Sequence, residues 1–387
     1  MNEEMHQVKK AWIAIPTLMA LATAALAGCA EPPDTNPGGT DTTGTTTGSP
    51  AASTATSAAN SSFKACMVSD SGGFDDKSFN QTSYKGLTDA KAQLGIQTGE
   101  VESKNVADFA KNIQSMVDAK CNIIVTVGFL LSDATMAAAK ANPDINFAIV
   151  DDTPKGYDSV KNLKPLVFNT AESSFLAGYA AAAQTKTGKV GTFGGANIPT
   201  VTIFMDGFAQ GVAYYNQQKG KSVQVIGWDA AKQDGQFVPG QNSFENVAGG
   251  KQVAQDLANQ GADILFPVAG PAGEGALQVA KASGGNVSAI WVDTDGCVSA
   301  ASYCSSLITS VYKAMDVAVF DAIKAASEGT FDNSPFVGTL KNDGTGLAPF
   351  HDFESKVSAE TKTELDKIKA DIIAGTIKIE SKSQPQG

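Results

Sequence analysis

The sequence predicts an α/β protein built from two doubly wound domains that face each other across a cleft. Three observations carry this expectation. From Lys64 onward, short apolar runs alternate with amphipathic helical stretches, the rhythm of strand–helix–strand units around a parallel sheet. The rhythm starts afresh after Asp151-Asp152. Polar or glycine residues stand at the carboxyl ends of the apolar runs, where open α/β sheets bind ligands.

The first unit begins with the strand-like run Lys64–Ser69, which enters the polar loop Asp70-Ser-Gly-Gly-Phe-Asp-Asp-Lys-Ser-Phe-Asn-Gln81. A helix follows, with Phe79, Tyr84, Leu87, Ala90 and Leu94 roughly on one face. Residues 95–102 read as a second strand, and Asn105 caps a helix carrying Val106, Phe109, Ile113 and Met116. The run 123–127 has the continuous apolar character of a strand buried on both faces. A helix from about Asp133 leads to the strand 146–150 and then to Asp151-Asp152.

In the second unit, a strand at 163–169 precedes an alanine-rich helix over 172–185 and a strand at 189–194. Pro199 opens a long helix to Lys219, a position where its missing N–H is not needed. A strand at 223–227 ends at Trp228-Asp229, and a polar loop over 230–241 precedes a helix to Asn259. Strands at 264–268 and 288–292 end at Ala269-Gly270 and at Asp293. The tail adds a strand at 307–311 leading to Lys313, helices at 315–327 and 358–374, and a strand-like run at 336–340. A chain that returns to both domains in this way makes several crossings, hence a hinge.

Residues before Phe63 fit neither domain. Lys9-Lys10 precede an apolar run to Leu26 that Pro16 interrupts, shorter than the roughly 18 to 20 residues of a spanning helix. It ends in Leu26-Ala-Gly-Cys29, which resembles the lipobox of a cleaved signal peptide (1–28). Cys29 is then the lipidation site and anchors the chain without a membrane-crossing helix. The Thr/Ser/Gly/Pro-rich stretch 29–62 cannot bury a core and reads as a disordered tether.

The chain has a net charge of −11 and a pI near 4.7, a poor match for nucleic acid or anionic headgroups. All 29 of its basic residues are lysines. Without arginine forks for carboxylate or phosphate, a neutral polar ligand fits best. Cys297 and Cys304 share one short polar segment and favour a disulfide, whereas for Cys66 and Cys121 a bond and free buried thiols stand equally. With only His6 and His351, no metal cluster is expected. Gly270-Pro-Ala-Gly-Glu-Gly275 lacks dinucleotide spacing, so no cofactor is expected either.

The segment Phe74-Asp-Asp-Lys-Ser-Phe-Asn-Gln81 resembles the basic membrane protein family of ABC transporter substrate-binding lipoproteins, whose best-known members are purine nucleoside receptors. Val127-Gly-Phe129, Ser174-Phe-Leu-Ala-Gly-Tyr179, Trp291-Val-Asp293 and Thr309-Ser-Val-Tyr-Lys-Ala-Met-Asp316 continue the resemblance over nearly all of the region beyond the tether. It implies a type I periplasmic-binding-protein fold, with two Rossmann-like lobes joined by a three-crossover hinge. The lobes are expected at 63–168 with 294–328 and at 169–293 with 329–387. It also implies a nucleoside stacked on Phe79 and on a second ring, Trp228 or alternatively Phe237. Asp70 and Asn80 would bond the base; Asp151, taken over Asp152, would hold the ribose with Asp293, Lys313 and the Gly270 backbone. Asp75, Asp76 and Lys77 read as solvated loop.

The expected protein is thus a monomeric, lipid-anchored receptor on the extracytoplasmic face that passes a nucleoside to a permease. A ribose or galactose receptor of the same fold is the alternative. No G-x-S-x-G elbow or catalytic histidine is present, so an enzyme is not expected.

Overall fold

The computed structural model describes residues 61–385. The signal peptide, Cys29 and nearly all of the expected tether lie outside the described residues.

The first lobe is formed by β1 (Lys64–Ser69), α1 (Phe79–Leu94), β2 (Gln97–Val101), α2 (Phe109–Asp118), β3 (Ile123–Val127), α3 (Ser132–Ala141), β4 (Asn146–Val150) and β5 (Leu163–Phe168). The second follows with α4 (Thr170–Gln184), β6 (Lys189–Gly194), α5 (Pro199–Lys219), β7 (Gln224–Ile226) and a small hairpin, β8 (Trp228–Asp229) and β9 (Asp234–Gly235). It continues through α6 (Val247–Asn259), β10 (Ile264–Val268), α7 (Glu274–Ala282), β11 (Ser288–Asp293), α8 (Gly296–Ser299) and β12 (Leu307–Lys313). The tail is α9 (Met315–Ser327), β13 (Phe336–Gly338), β14 (Thr345–Leu347) and α10 (Ala359–Ile373).

Two six-stranded sheets result, ordered β13-β5-β4-β3-β1-β2 and β14-β12-β11-β10-β6-β7. Each is parallel except for β14, which runs antiparallel to β12. β1, β3 and β4 are buried along nearly their whole length because helices cover both faces of the sheet.

The lobe boundaries differ from the expectation in two places. Residues 307–313, expected in the first lobe, form β12 of the second sheet, whereas 336–338, expected in the second, form β13 of the first. Backbone pairing decides both: β12 lies beside β11, and β13 extends the first sheet beyond β5. α9 does belong to the first lobe, with Met315, Val319 and Ile323 packed in one core with Met67 and Leu87. Its approach to α1 is close. A methyl group at Gly86 would lie 2.5 Å from the Asp316 carbonyl oxygen.

The chain therefore crosses at Asn169, at Ala314 and between Thr339 and Gly344. Backbone bonds tie these crossings together: Asn169 N–H donates to Gly338 C=O at 2.7 Å, and Ala314 N–H to Gly344 C=O at 2.9 Å. Cys297 is bonded to Cys304 beside α8, and Cys66 to Cys121, which joins β1 to the segment entering β3. Among the described residues, no helix is long and apolar enough to cross a membrane.

Candidate ligand-binding cleft

The loop after β1 carries three of the expected residues, and its geometry depends on Asp76. Its carboxylate accepts backbone N–H bonds from Ser78 (2.9 Å), Asn80 (2.9 Å) and Gln81 (3.0 Å). These are N–H groups that a helix start leaves without internal partners. Asp76 is therefore buried, and the reading of it as solvated loop is corrected. Burial pushes its carboxyl up to about 6 against those three bonds. Lys77 likewise pairs across the cleft with Glu274 at 3.1 Å rather than locally.

With α1 started in this way, Phe79 and Asn80 line a cleft between the lobes together with Asp70. Asn80 Nδ2 donates to Asp70 Oδ1 at 2.9 Å, and Asn80 Oδ1 is buried without a hydrogen-bond partner. Burial pushes the Asp70 carboxyl up to about 8; the Asn80 bond opposes this, while Asp76, Asp151 and Glu245 add repulsion. Asp70 fits because residue 128 is glycine. A methyl group there would come within 2.4 Å of Asp70 Oδ2, and the residue adopts φ +114°.

Asp151 and Asp293 occupy matching places after β4 and at the end of β11. Both have left-handed backbones, φ 64° and 70°, a conformation that Asp tolerates better than most residues but that is rarely populated. Lys313, at the end of β12, joins them: its ammonium lies 2.5 Å from Asp151 Oδ2 and 3.0 Å from Asp293 Oδ1. Lys313 is 3% exposed. Burial opposes its charge, but the two carboxylates outweigh that and raise its pKa. Burial also raises Asp151 against the pull of Lys313. The triad carries a net negative charge when fully ionised, so its carboxylates hold capacity for donors beyond one lysine.

Gly270 and Pro271 complete this wall, with Gly270 at φ 52°. The cleft thus brings together seven of the eight expected ligand residues, and Trp228 is the exception. Its indole N–H donates to Asp206 Oδ1 at 3.0 Å, within a network that also binds Gln233 and Ser381 to Asp206. A buried indole needs such a partner, and Asp206 on α5 holds the ring in the core, 7% exposed. The alternative, Phe237, lies edge-on to Trp228 and packs against Gly194, so it does not line the cleft.

The second-lobe rings in the cleft are Phe204 and Phe244. Phe204 sits on α5, whose position is fixed by close contact with α4: a methyl at Gly211 would meet the Phe175 carbonyl oxygen at 2.0 Å. The Lys313 ammonium lies 4.6 Å from the Phe79 ring centre and 5.3 Å from that of Phe204, within cation–π range. Phe244 is the middle residue of the short turn Ser243–Glu245 before α6. Sequence reasoning missed both rings, because Phe204 lies inside a helix and Phe244 falls just past the polar loop 230–241.

Among the described residues, Asp295, Cys297 and His351 form a grouping with metal-ligand spacing. The Cys297 sulfur is committed to its disulfide, which leaves a His351–Asp295 pair at 2.7 Å.

A family model described as "ABC transporter substrate-binding protein PnrA-like" matches residues 63–383. The chain is 31% identical to the ABC transporter nucleoside-binding protein BmpA of Lactococcus lactis, covering 97% of this chain and all of that one. It is 32% identical to basic membrane protein D of Borreliella burgdorferi, over 80% of this chain and 85% of the relative. Among solved structures, an ABC transporter solute-binding protein from Aeropyrum pernix matches with a TM-score of 0.73 at 25% identity, covering 84% of this chain and 94% of that one. GanP, a glucose-galactose binding protein from Geobacillus stearothermophilus, matches at 0.55 with 15% identity over 76% of this chain and 99% of its own. That last likeness concerns the fold alone.

Proposed function

We propose, for a chain that belongs to the PnrA-like family of ABC transporter substrate-binding proteins, that its cleft captures a nucleoside, preferably a purine nucleoside, for import. Members of this family are extracytoplasmic receptors that work with a permease and are not enzymes. The observation that carries the reading is the combination of rings from both lobes with two separate polar sets. Phe79 faces the cleft from the first lobe, Phe204 and Phe244 from the second. Such faces suit a flat, polarizable base. Asp70 and Asn80 offer a hydrogen-bonding pair for its edge, and the triad of Asp151, Asp293 and Lys313 accepts from and donates to sugar hydroxyls through charge-assisted bonds. Neither set contains the arginine fork that a phosphate would favour. The nucleoside-binding relative from Lactococcus lactis supports the same reading.

Acylated Cys29 tethers the monomeric receptor to the outer face of the membrane through the segment 29–62, leaving residues 63–383 free to meet the permease. Calorimetric titration with inosine, guanosine, adenosine and cytidine tests the ligand, with ribose and galactose as competitors. Purine nucleosides bind the wild-type protein. Phe79→Ala weakens them by roughly 5- to 150-fold, the worth of one base–aromatic stack, with little change in melting temperature. Binding of the free sugars alone, or full nucleoside affinity in Phe79→Ala, refutes the reading.

A further inference from the structure

A second chamber of about 240 Å³ adjoins the cleft. Phe129, Asp151 and Thr200 line both spaces, so the chamber begins behind the acidic residue assigned to the sugar. Three side-chain oxygens at the chamber are buried without hydrogen-bond partners: Asp152 Oδ2, Thr153 Oγ1 and Thr170 Oγ1. Asp152 is 8% exposed and Thr170 is 1% exposed. Unpaired buried polar atoms are costly, and an unpaired carboxylate oxygen especially so. Among the described residues, no cationic side chain lines the chamber, and Asp151 faces Lys313. The chamber therefore offers one unpaired carboxylate oxygen and two unpaired hydroxyls. A donor bearing positive charge satisfies the carboxylate and the hydroxyl lone pairs, whereas a phosphate, though the hydroxyls could donate to it, would meet the like charge of Asp151 and Asp152.

Resting on the nucleoside reading, we propose that this chamber is a subsite for a protonated amine carried on the sugar of the ligand, held by Asp152, Thr153 and Thr170. Burial pushes the Asp152 carboxyl up to about 6, eased by the Ser132 hydroxyl and the Thr153 backbone; Asp151 and Asp133 raise it further. Asp152 is therefore ionised at about pH 7.5, where a 5′-ammonium is charged and the carboxylate favours protonation of the less basic amines on the sugar ring.

Titration of the full protein at about pH 7.5 with adenosine and its 2′-, 3′- and 5′-amino-deoxy analogues tests this. One analogue binds at least about tenfold tighter than adenosine, the worth of one charge-assisted bond. Asp152→Asn removes that gain and Thr170→Val reduces it, while both variants bind adenosine as the wild type does. Thr170→Val preserves shape, so it carries the test if Asp152→Asn does not fold. No gain with any analogue, as expected of a chamber that holds only water, overturns the subsite and leaves the nucleoside reading standing. So does a gain that persists undiminished in the variants. If neither adenosine nor inosine binds, the nucleoside reading itself falls and the subsite with it.

Discussion

Asp70 lines the cleft at a cost to stability. Its carboxyl titrates near 8 in the folded protein, against about 4 in an unfolded chain. Between those values the native state binds more protons than the unfolded state, so this residue's contribution to stability falls as pH rises through that window. Asp70→Asn keeps the shape and an acceptor for Asn80 but cannot ionise. The variant is expected to melt with the wild type at about pH 4 and a few degrees above it at about pH 8.5, as read by calorimetry. A difference that is constant with pH, or one that narrows as pH rises, contradicts the assignment. Asp70, Phe79 and Asn80 could be located in the sequence because strand end, loop and helix start lie within a dozen residues of one another. Trp228 looked equivalent, an aromatic at a strand end. Its placement in the core depends on Asp206, a partner 22 residues earlier on another element, and no local pattern announces that.

At the scale of elements, the β1–α1 loop is positioned by its own carboxylate as well as by the positive-φ turn at Gly72 and Gly73. Asp76 holds three backbone N–H groups, including that of Asn80, whose side chain lines the cleft. Removing an N-terminal cap of this kind costs about 0.5–2 kcal/mol. Asp76→Ala is therefore expected to lower the melting temperature by a few degrees and weaken ligand binding about tenfold. Asp76→Asn, which retains acceptor capacity on one oxygen, falls between. Wild-type affinity in Asp76→Ala, measured by titration, would show that the loop is held by other contacts. The same scale explains what the sequence left unread. The alternation of strands and helices is local and legible, but membership in a sheet is not. β12 runs directly into α9, so 294–328 reads as one unit, yet strand pairing sends β12 to the second sheet and helix packing sends α9 to the first. β13 and β14 have three residues each, too few for periodicity to place them.

Across the whole molecule, the contacts between lobes define a closed arrangement. Lys77 meets Glu274, the Trp291 indole donates to the Lys77 carbonyl at 3.2 Å, and the Ser78 hydroxyl donates to Asp293 at 2.9 Å. Lys313 adds a buried ion pair to this set: it extends from the second sheet and binds Asp151 of the first lobe and Asp293 of its own. Removing one partner of a buried ion pair costs about 3–5 kcal/mol, because the remaining charges lose both solvent and counter-ion. Here the two remaining carboxylates sit on opposite lobes, and separating the lobes relieves them by readmitting water. Lys313→Met is therefore expected to shift the population toward an open form, since closure now carries a penalty that ligand contacts must overcome. Small-angle scattering should show a larger radius of gyration than the wild type, and saturating nucleoside should compact the variant less. Adding Asp151→Asn removes one of the opposed charges and should restore part of the compaction, a coupling that independent sites would not show. If Lys313→Met scatters as the wild type does and closes normally on ligand, the triad is a ligand contact alone and closure rests on the Lys77–Ser78 contacts.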